Sequence, residues 1–157
     1  MALLTLQLLG SLHAECDGLI LQHFRSAKNQ ALLAYLALAP QPVPRGQLCE
    51  LLWDVPNDPR GELRWCLSKL RGLLDEPARR RVVAEADAVR LDLADCFVDA
   101  HELAAAGQDP AALPVERLRN LASLWGGDFL EGLEIERSPM FAGWLAAQRR
   151  RLRAGQA

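Results

Sequence analysis

The segment from Asp58 to Leu74 constrains the fold more than any other part of the sequence. Its apolar residues recur with the spacing of one helix face, at Leu63, Cys66, Leu67, Leu70, Leu73 and Leu74. Asp58 is suited to cap this helix and Pro59 to its first position. The opposite face carries Glu62, Arg64, Trp65, Ser68, Lys69 and Arg71. The pattern predicts an amphipathic helix with a buried leucine stripe and a basic, aromatic face in solvent.

Two further helices are predicted before this segment. The first begins after Ser26, a suitable cap, and runs to about Ala39, where the prolines at 40 and 42 end it. The second has Pro44 at its first position and ends before Pro56. Only a short linker separates the two, so we expect them to pack as neighbours.

β-Structure is predicted on both sides of these helices. Residues 82–85 and 89–93 are β-prone and are joined by Ala86, Asp87 and Ala88, which predicts a hairpin directly after the amphipathic helix. At the other end, residues 3–9, 12–16 and 19–21 are short apolar runs separated by Gly10 and Asp17-Gly18, which predicts a small antiparallel sheet. Helices followed by a hairpin are the parts of a winged helix-turn-helix.

The character of the sequence changes at Cys96. Beyond it, Ala- and Leu-rich stretches predict helices over about 97–107, 115–125 and 139–153, which are typical of helical repeats. We therefore expect an α+β chain of two domains, a winged helix-turn-helix over 1–95 and all-α, tetratricopeptide-like helices over 96–157. A chain of 157 residues that is 50% apolar is large enough for this.

Composition excludes several classes of protein. The four cysteines, Cys16, Cys49, Cys66 and Cys96, form no C-x-x-C pair, so we expect reduced core thiols and no metal site. No phosphate loop, nucleophile elbow or other catalytic motif is present, so we expect no enzymatic activity and no cofactor. No apolar run reaches the length of a membrane span, and the amino terminus lacks the marks of a secretory signal, so we expect a cytoplasmic protein.

The charge distribution favours one region for an anionic partner. The net charge is −2, yet residues 60–81 contain seven basic side chains and only three acidic ones. Phosphate binding depends on such local clustering.

The order of these elements resembles the antibiotic regulatory protein (SARP) family of bacterial activators. The first stretch that carries the resemblance is Lys28-Asn29-Gln30-Ala31-Leu32-Leu33-Ala34. The others are Val43-Pro44-Arg45, Leu48 to Leu52-Trp53, and above all Leu67-Ser68-Lys69-Leu70-Arg71. Residues 124–132, Leu-Trp-Gly-Gly-Asp-Phe-Leu-Glu-Gly, are similar to a stretch of the bacterial transcriptional activator domain.

The resemblance implies a sequence-specific activator whose recognition helix, residues 60–74, lies in the major groove of double-stranded DNA. Trp65, Lys69 and Arg71 would lie nearest the DNA, flanked by Arg64 and Ser68. Lys28 and Arg45 would lie near the phosphate backbone, and Arg60 is a further DNA-binding residue. The run Arg79, Arg80 and Arg81 would either bind a phosphate or only solvate the loop after the recognition helix. RNA polymerase or further regulator domains, and a second copy in a homodimer or higher oligomer, are the implied protein partners.

The hairpin leaves a second function open. It carries Glu85 and Asp87 near its tip, where basic residues would favour DNA, and Glu62 lies near the start of the recognition helix. Together with the negative net charge, these acids are the basis for an alternative, a protein-interaction module that keeps the winged-helix fold without DNA binding. An enzyme or small-molecule sensor is a third, weaker alternative.

Overall fold

The computed structural model describes residues 4–10, 12–16, 19–20, 27–39, 41–52, 59–75, 80–94, 96–100, 129–130, 132–133 and 139–156. In chain order these form β1 (Leu4–Gln7), β2 (His13–Cys16), β3 (Leu19–Ile20), α1 (Ala27–Leu38), β4 (Val43–Pro44), α2 (Arg45–Leu52), α3 (Pro59–Leu74), β5 (Val82–Glu85), β6 (Ala88–Leu91), β7 (Phe97–Val98) and α4 (Pro139–Gln156).

Backbone contacts divide the chain into two compact units. The first comprises Met1–Ile20, Cys96–Leu133 and Gly143–Ala157, and the second comprises Leu21–Asp95 and Glu134–Ala142. The unit changes between Asp95 and Cys96, where the composition also changes, but the first twenty residues group with the later part of the chain. The division into domains at residue 95 stays a prediction.

The second unit is built around α3. Helices α1 and α2 both pack against α3, and α1 also contacts β6. Their shared core is made of leucines and valines that are almost fully buried: Leu32, Leu33, Leu36, Leu48, Leu52, Leu63, Leu67, Leu70, Val82 and Val89. Because each buried leucine contributes about 1.5–3 kcal/mol, the leucine stripe of α3 holds this unit together and fixes which face of α3 remains outside.

A three-stranded sheet completes the second unit. Its order is β4-β6-β5, and all neighbours are antiparallel. Strands β5 and β6 form the predicted hairpin, turning at Ala86 and Asp87, where Ala86 has a φ of 53°. The pairing of Val43 with Val89 adds a strand that the sequence did not predict. Pro44 ends this strand, so α2 begins one residue later than the sequence predicts.

The first unit contains a four-stranded sheet in the order β3-β2-β1-β7. Strands β1, β2 and β3 are antiparallel neighbours, as predicted. Strand β7 pairs with β1 in parallel, through Thr5 with Phe97 and Leu6 with Val98. The helix expected from about residue 97 therefore begins after this strand, with Asp99 and Ala100 in helical conformation, and the sheet is mixed rather than purely antiparallel. Short parallel strands of this kind depend on a distant partner, which local periodicity does not reveal.

One carboxylate binds the backbone beyond β1. Asp99 is 2% exposed, and it accepts hydrogen bonds from Leu8 N–H at 2.8 Å and Leu9 N–H at 3.0 Å. It also accepts one from Ala100 N–H at 2.7 Å. Burial raises the pKa of Asp99, although these backbone hydrogen bonds oppose the shift. Asp99 thus accepts hydrogen bonds from the buried N–H groups of Leu8 and Leu9, which follow β1, a strand paired on both sides.

In the first unit, α4 binds a turn through an arginine. Arg149 donates from Nε to the Phe129 carbonyl at 2.9 Å and from Nη2 to the Leu130 carbonyl at 3.0 Å. The Phe129 ring packs edge-on against Trp144, with centroids 5.8 Å apart. This ring contact joins α4 to the 129–130 turn.

The predicted helices over 101–107 and 115–125 lie outside the described residues, as do the caps Ser26 and Asp58 and residue Trp53. In the part of the chain that the structure describes, no helix is both long and apolar enough to cross a membrane.

Candidate nucleic-acid interface

The outer face of α3 is the main candidate for DNA contact. Its exposed side chains include four that the sequence singled out: Arg64, Trp65, Ser68 and Lys69. Arg71 is half-buried. Because the leucine stripe is buried against α1 and α2, these polar side chains face solvent together. The structure therefore brings the five central predicted residues onto one helix.

Trp65 and Lys69 form a pair on this face. Trp65 is 55% exposed, and the Lys69 ammonium lies 5.3 Å from the centroid of its ring. The two residues are one helical turn apart, so their side chains meet along the helix. A cation–π contact at an exposed site contributes about 0.5–1 kcal/mol. The pair keeps a large ring and a positive charge at the surface of α3.

Lys28 faces α3 rather than standing apart from it. Burial lowers the pKa of Lys28, and the nearby negative charge of Glu62 opposes that shift. Burial also raises the pKa of the Cys66 thiol to about 11, with Glu62 adding to the rise. The charge of Glu62 thus acts on both Lys28 and the buried Cys66, and it opposes the effect of burial on a lysine that was expected near phosphate. Cys49 and Cys66 are buried free thiols, as expected, and Cys96 is half-buried.

The two hairpin acids both have arginine partners. Glu85 accepts from Arg90 Nε at 2.7 Å within the hairpin. Asp87 lies 3.5 Å from Arg60 of α3, and its carbonyl accepts from the Arg45 N–H at 2.8 Å. These contacts partly neutralise the acids that made the hairpin look unsuited to DNA. They also bring Arg45 and Arg60, both predicted site residues, to the turn of the hairpin.

Arg80 and Arg81, which follow α3, lie in different environments. Arg81 is 1% exposed, and its Nη1 donates to the Leu74 carbonyl at 2.6 Å, at the end of α3. This corrects the assignment of Arg81 to phosphate, because its guanidinium instead satisfies a helix-terminal carbonyl. Arg80 is exposed, so a phosphate contact by Arg80 stays a prediction, and Arg79 lies outside the described residues.

Asp75 is a residue whose role the sequence analysis missed. Its Oδ1 accepts from the Arg81 N–H at 2.8 Å and from the Val82 N–H at 2.9 Å. It therefore links the end of α3 to the start of β5 and sets where the hairpin leaves the helix. An Asp immediately after a predicted helix, close to a β-prone run, was the available indication.

Replacing Gly72 with alanine is expected to raise the free energy of unfolding by about 0.5–1 kcal/mol. Gly72 is exposed on α3, and an added Cβ would meet no described atom within 4 Å. Gly132 is the matched control, because an added Cβ is equally unobstructed by described atoms there but φ is +82°. Gly132→Ala should therefore destabilise the protein. Urea unfolding of both variants checks this, and equal shifts in the same direction would contradict it.

No protein-family model and no curated protein matches this chain. Among solved structures, it is similar to "Mycobacterium tuberculosis EmbR in complex with low affinity phosphopeptide", with a TM-score of 0.73 and 23% sequence identity. The match covers 99% of this chain and 44% of the EmbR chain, so this chain spans less than half the length of its neighbour. At this identity the likeness concerns the fold alone: the chain is folded like this part of EmbR.

Proposed function

We propose that this chain is the DNA-binding part of a bacterial transcription activator, with α3 entering the major groove. The observation that carries the proposal is the outer face of α3, where Arg64, Trp65 and Lys69 are exposed side by side on a helix whose other face is buried. Recognition helices of winged helix-turn-helix proteins use such a face on DNA. The fold shared with EmbR supports a regulatory role of this kind.

The side chains divide into two kinds of contact. An arginine or lysine that reaches a guanine edge contributes about 1–3 kcal/mol of base discrimination, whereas one on a phosphate only positions the helix. Arg64 and Lys69 are the candidates for bases. Arg45 and Arg80 are candidates for phosphates, and Trp65 offers apolar area for a thymine methyl group. Such a role places the protein in the bacterial cytoplasm, working with RNA polymerase or further regulator domains, and as a dimer on repeated half-sites.

A salt-titrated binding assay tests the proposal. We expect the full chain to bind a pool of random duplexes at low salt, with affinity falling steeply as salt rises. The double variant Arg64→Ala/Lys69→Ala should bind at least about tenfold more weakly, because two candidate base contacts are lost. Arg80→Ala should instead give a shallower salt slope, by about 0.9 for the one phosphate contact that is lost. Fluorescence anisotropy with labelled duplexes measures both quantities.

Arg150→Ala is the matched control, since Arg150 is an exposed arginine on α4, outside the second unit. It should leave affinity and slope nearly unchanged. An equal loss on Arg150→Ala would show that charge alone drives binding. Absence of binding to every duplex at low salt would reject the proposal.

The alternative, a protein-interaction module without DNA binding, is favoured by one observation. Trp65 is a large hydrophobic side chain that is 55% exposed, and tryptophan is enriched at the centres of protein interfaces. Under this alternative, Trp65→Ala would abolish binding of a protein partner, and no duplex would compete with that partner.

A further inference from the structure

Arg60 lies close to two other elements of the second unit. Its Nη1 lies 3.5 Å from Asp87 Oδ1 at the hairpin turn. Its Nη2 lies above the first turn of α2, where an added Cβ on Gly46 would meet it at 3.8 Å. The Arg60 side chain is nevertheless 59% exposed. The guanidinium is therefore placed between α2 and the hairpin while much of it still faces solvent.

The Asp87 carboxylate is not needed to hold the hairpin in position. The backbone does this, since the Arg45 N–H donates to the Asp87 carbonyl at 2.8 Å and Pro44 pairs with Ala88. An ion pair as exposed as Arg60–Asp87 contributes little to stability. The charges of Arg60 and Asp87 are also both felt by Cys49, whose pKa is raised mainly by burial. Because the backbone holds the hairpin in position, the Asp87 carboxylate is available to orient the Arg60 guanidinium.

We propose that Asp87 is a positioning residue that holds Arg60 ready to bind a guanine in the major groove. The inference rests on the proposed function and names a specificity-determining pair within it. Arg60 lies in the first turn of α3, and the amino-terminal residues of a recognition helix are those that contact base edges. A guanidinium has five donors in a rigid fork, so a carboxylate can bind one side while two donors reach guanine O6 and N7. Fixing the fork in advance reduces the freedom that is lost on binding.

Selection from a randomised duplex library, followed by sequencing, tests the pair in the full chain. We expect the wild-type protein to select a motif that contains guanine at the position read by Arg60. In the motif selected by Arg60→Ala, the preference for guanine should fall about tenfold at that position only. Asp87→Asn should weaken the guanine preference at that same position, leaving the others unchanged, and Asp87→Glu should restore part of it. Glu85→Gln is the matched control, because it removes the same charge from the same hairpin but belongs to the pair with Arg90. It should leave the motif unchanged.

The outcomes separate this inference from the function on which it rests. If Asp87→Asn raises the affinity for every duplex equally and leaves the guanine preference unchanged, the carboxylate only repels DNA. That result would overturn the inference. A selected motif that Arg60→Ala does not alter overturns it too, while leaving the proposed function standing. No selection by the wild-type protein overturns both. Circular-dichroism melting of each variant confirms that it is folded before its motif is compared.

Discussion

Asp99→Ala is expected to lower the free energy of unfolding by about 3 kcal/mol or more, because three buried backbone donors each lose an acceptor at a cost of about 1–3 kcal/mol. The donors are the Leu8 and Leu9 N–H groups, which bind opposite oxygens of the carboxylate, and the Ala100 N–H. Leu8 and Leu9 are fully buried, so water does not replace the lost acceptor without opening the fold. Urea unfolding at neutral pH measures the loss.

Asp99→Asn provides the control for charge. Asparagine keeps one acceptor oxygen, which can bind the Leu8 and Ala100 donors that share Oδ1 but leaves the Leu9 donor without an acceptor, so it should give a smaller loss than alanine. Folding raises the pKa of Asp99, so protonation of this carboxyl group stabilises the folded state relative to the unfolded state. That stabilisation is present below the ordinary pKa of 3.8 and is lost as the pH rises through the raised value. The stability of wild type relative to Asp99→Asn should therefore decline over that range. An alanine variant as stable as wild type would contradict the role of Asp99.

Arg81→Met is expected to lower the free energy of unfolding by about 2–3 kcal/mol, since a hydrogen bond from a charged donor is lost and a buried carbonyl is left unsatisfied. Methionine keeps the length and much of the volume of the arginine stem, so loss of packing is small. The acceptor that loses its donor is the Leu74 carbonyl, 2.6 Å from Arg81 Nη1. Thermal unfolding followed by circular dichroism measures the effect.

Arg80→Ala is the matched control for this change. Arg80 is adjacent in sequence and exposed, so its replacement should alter stability by less than about 0.5 kcal/mol. DNA binding should show the reverse pattern. At a temperature where both variants are folded, Arg80→Ala should weaken DNA binding and Arg81→Met should not. Equal destabilisation by the two changes would contradict the buried role of Arg81.

The sequence by itself determined the local elements and the direction in which they face. The bounds of α3 and the face that carries Arg64 and Lys69 follow from helical periodicity, which depends only on neighbours within a few residues. The hairpin of β5 and β6 follows equally from two short β-prone runs and a turn. The fold that these elements form is shared with EmbR.

Only the tertiary structure decided which residues meet across the chain. Asp99 binds Leu8 across 91 residues, and Asp87 meets Arg60 across 27. No periodicity encodes such pairs, because they depend on how the elements pack. The same reason explains β7, whose pairing with β1 precedes the helix expected from about residue 97, and Arg81, whose burial cannot be predicted from a run of three arginines. Helical spacing thus determined that the leucine stripe of α3 is buried and that its basic face is exposed. Tertiary packing determined that Arg60 pairs with Asp87 and that Arg81 is buried.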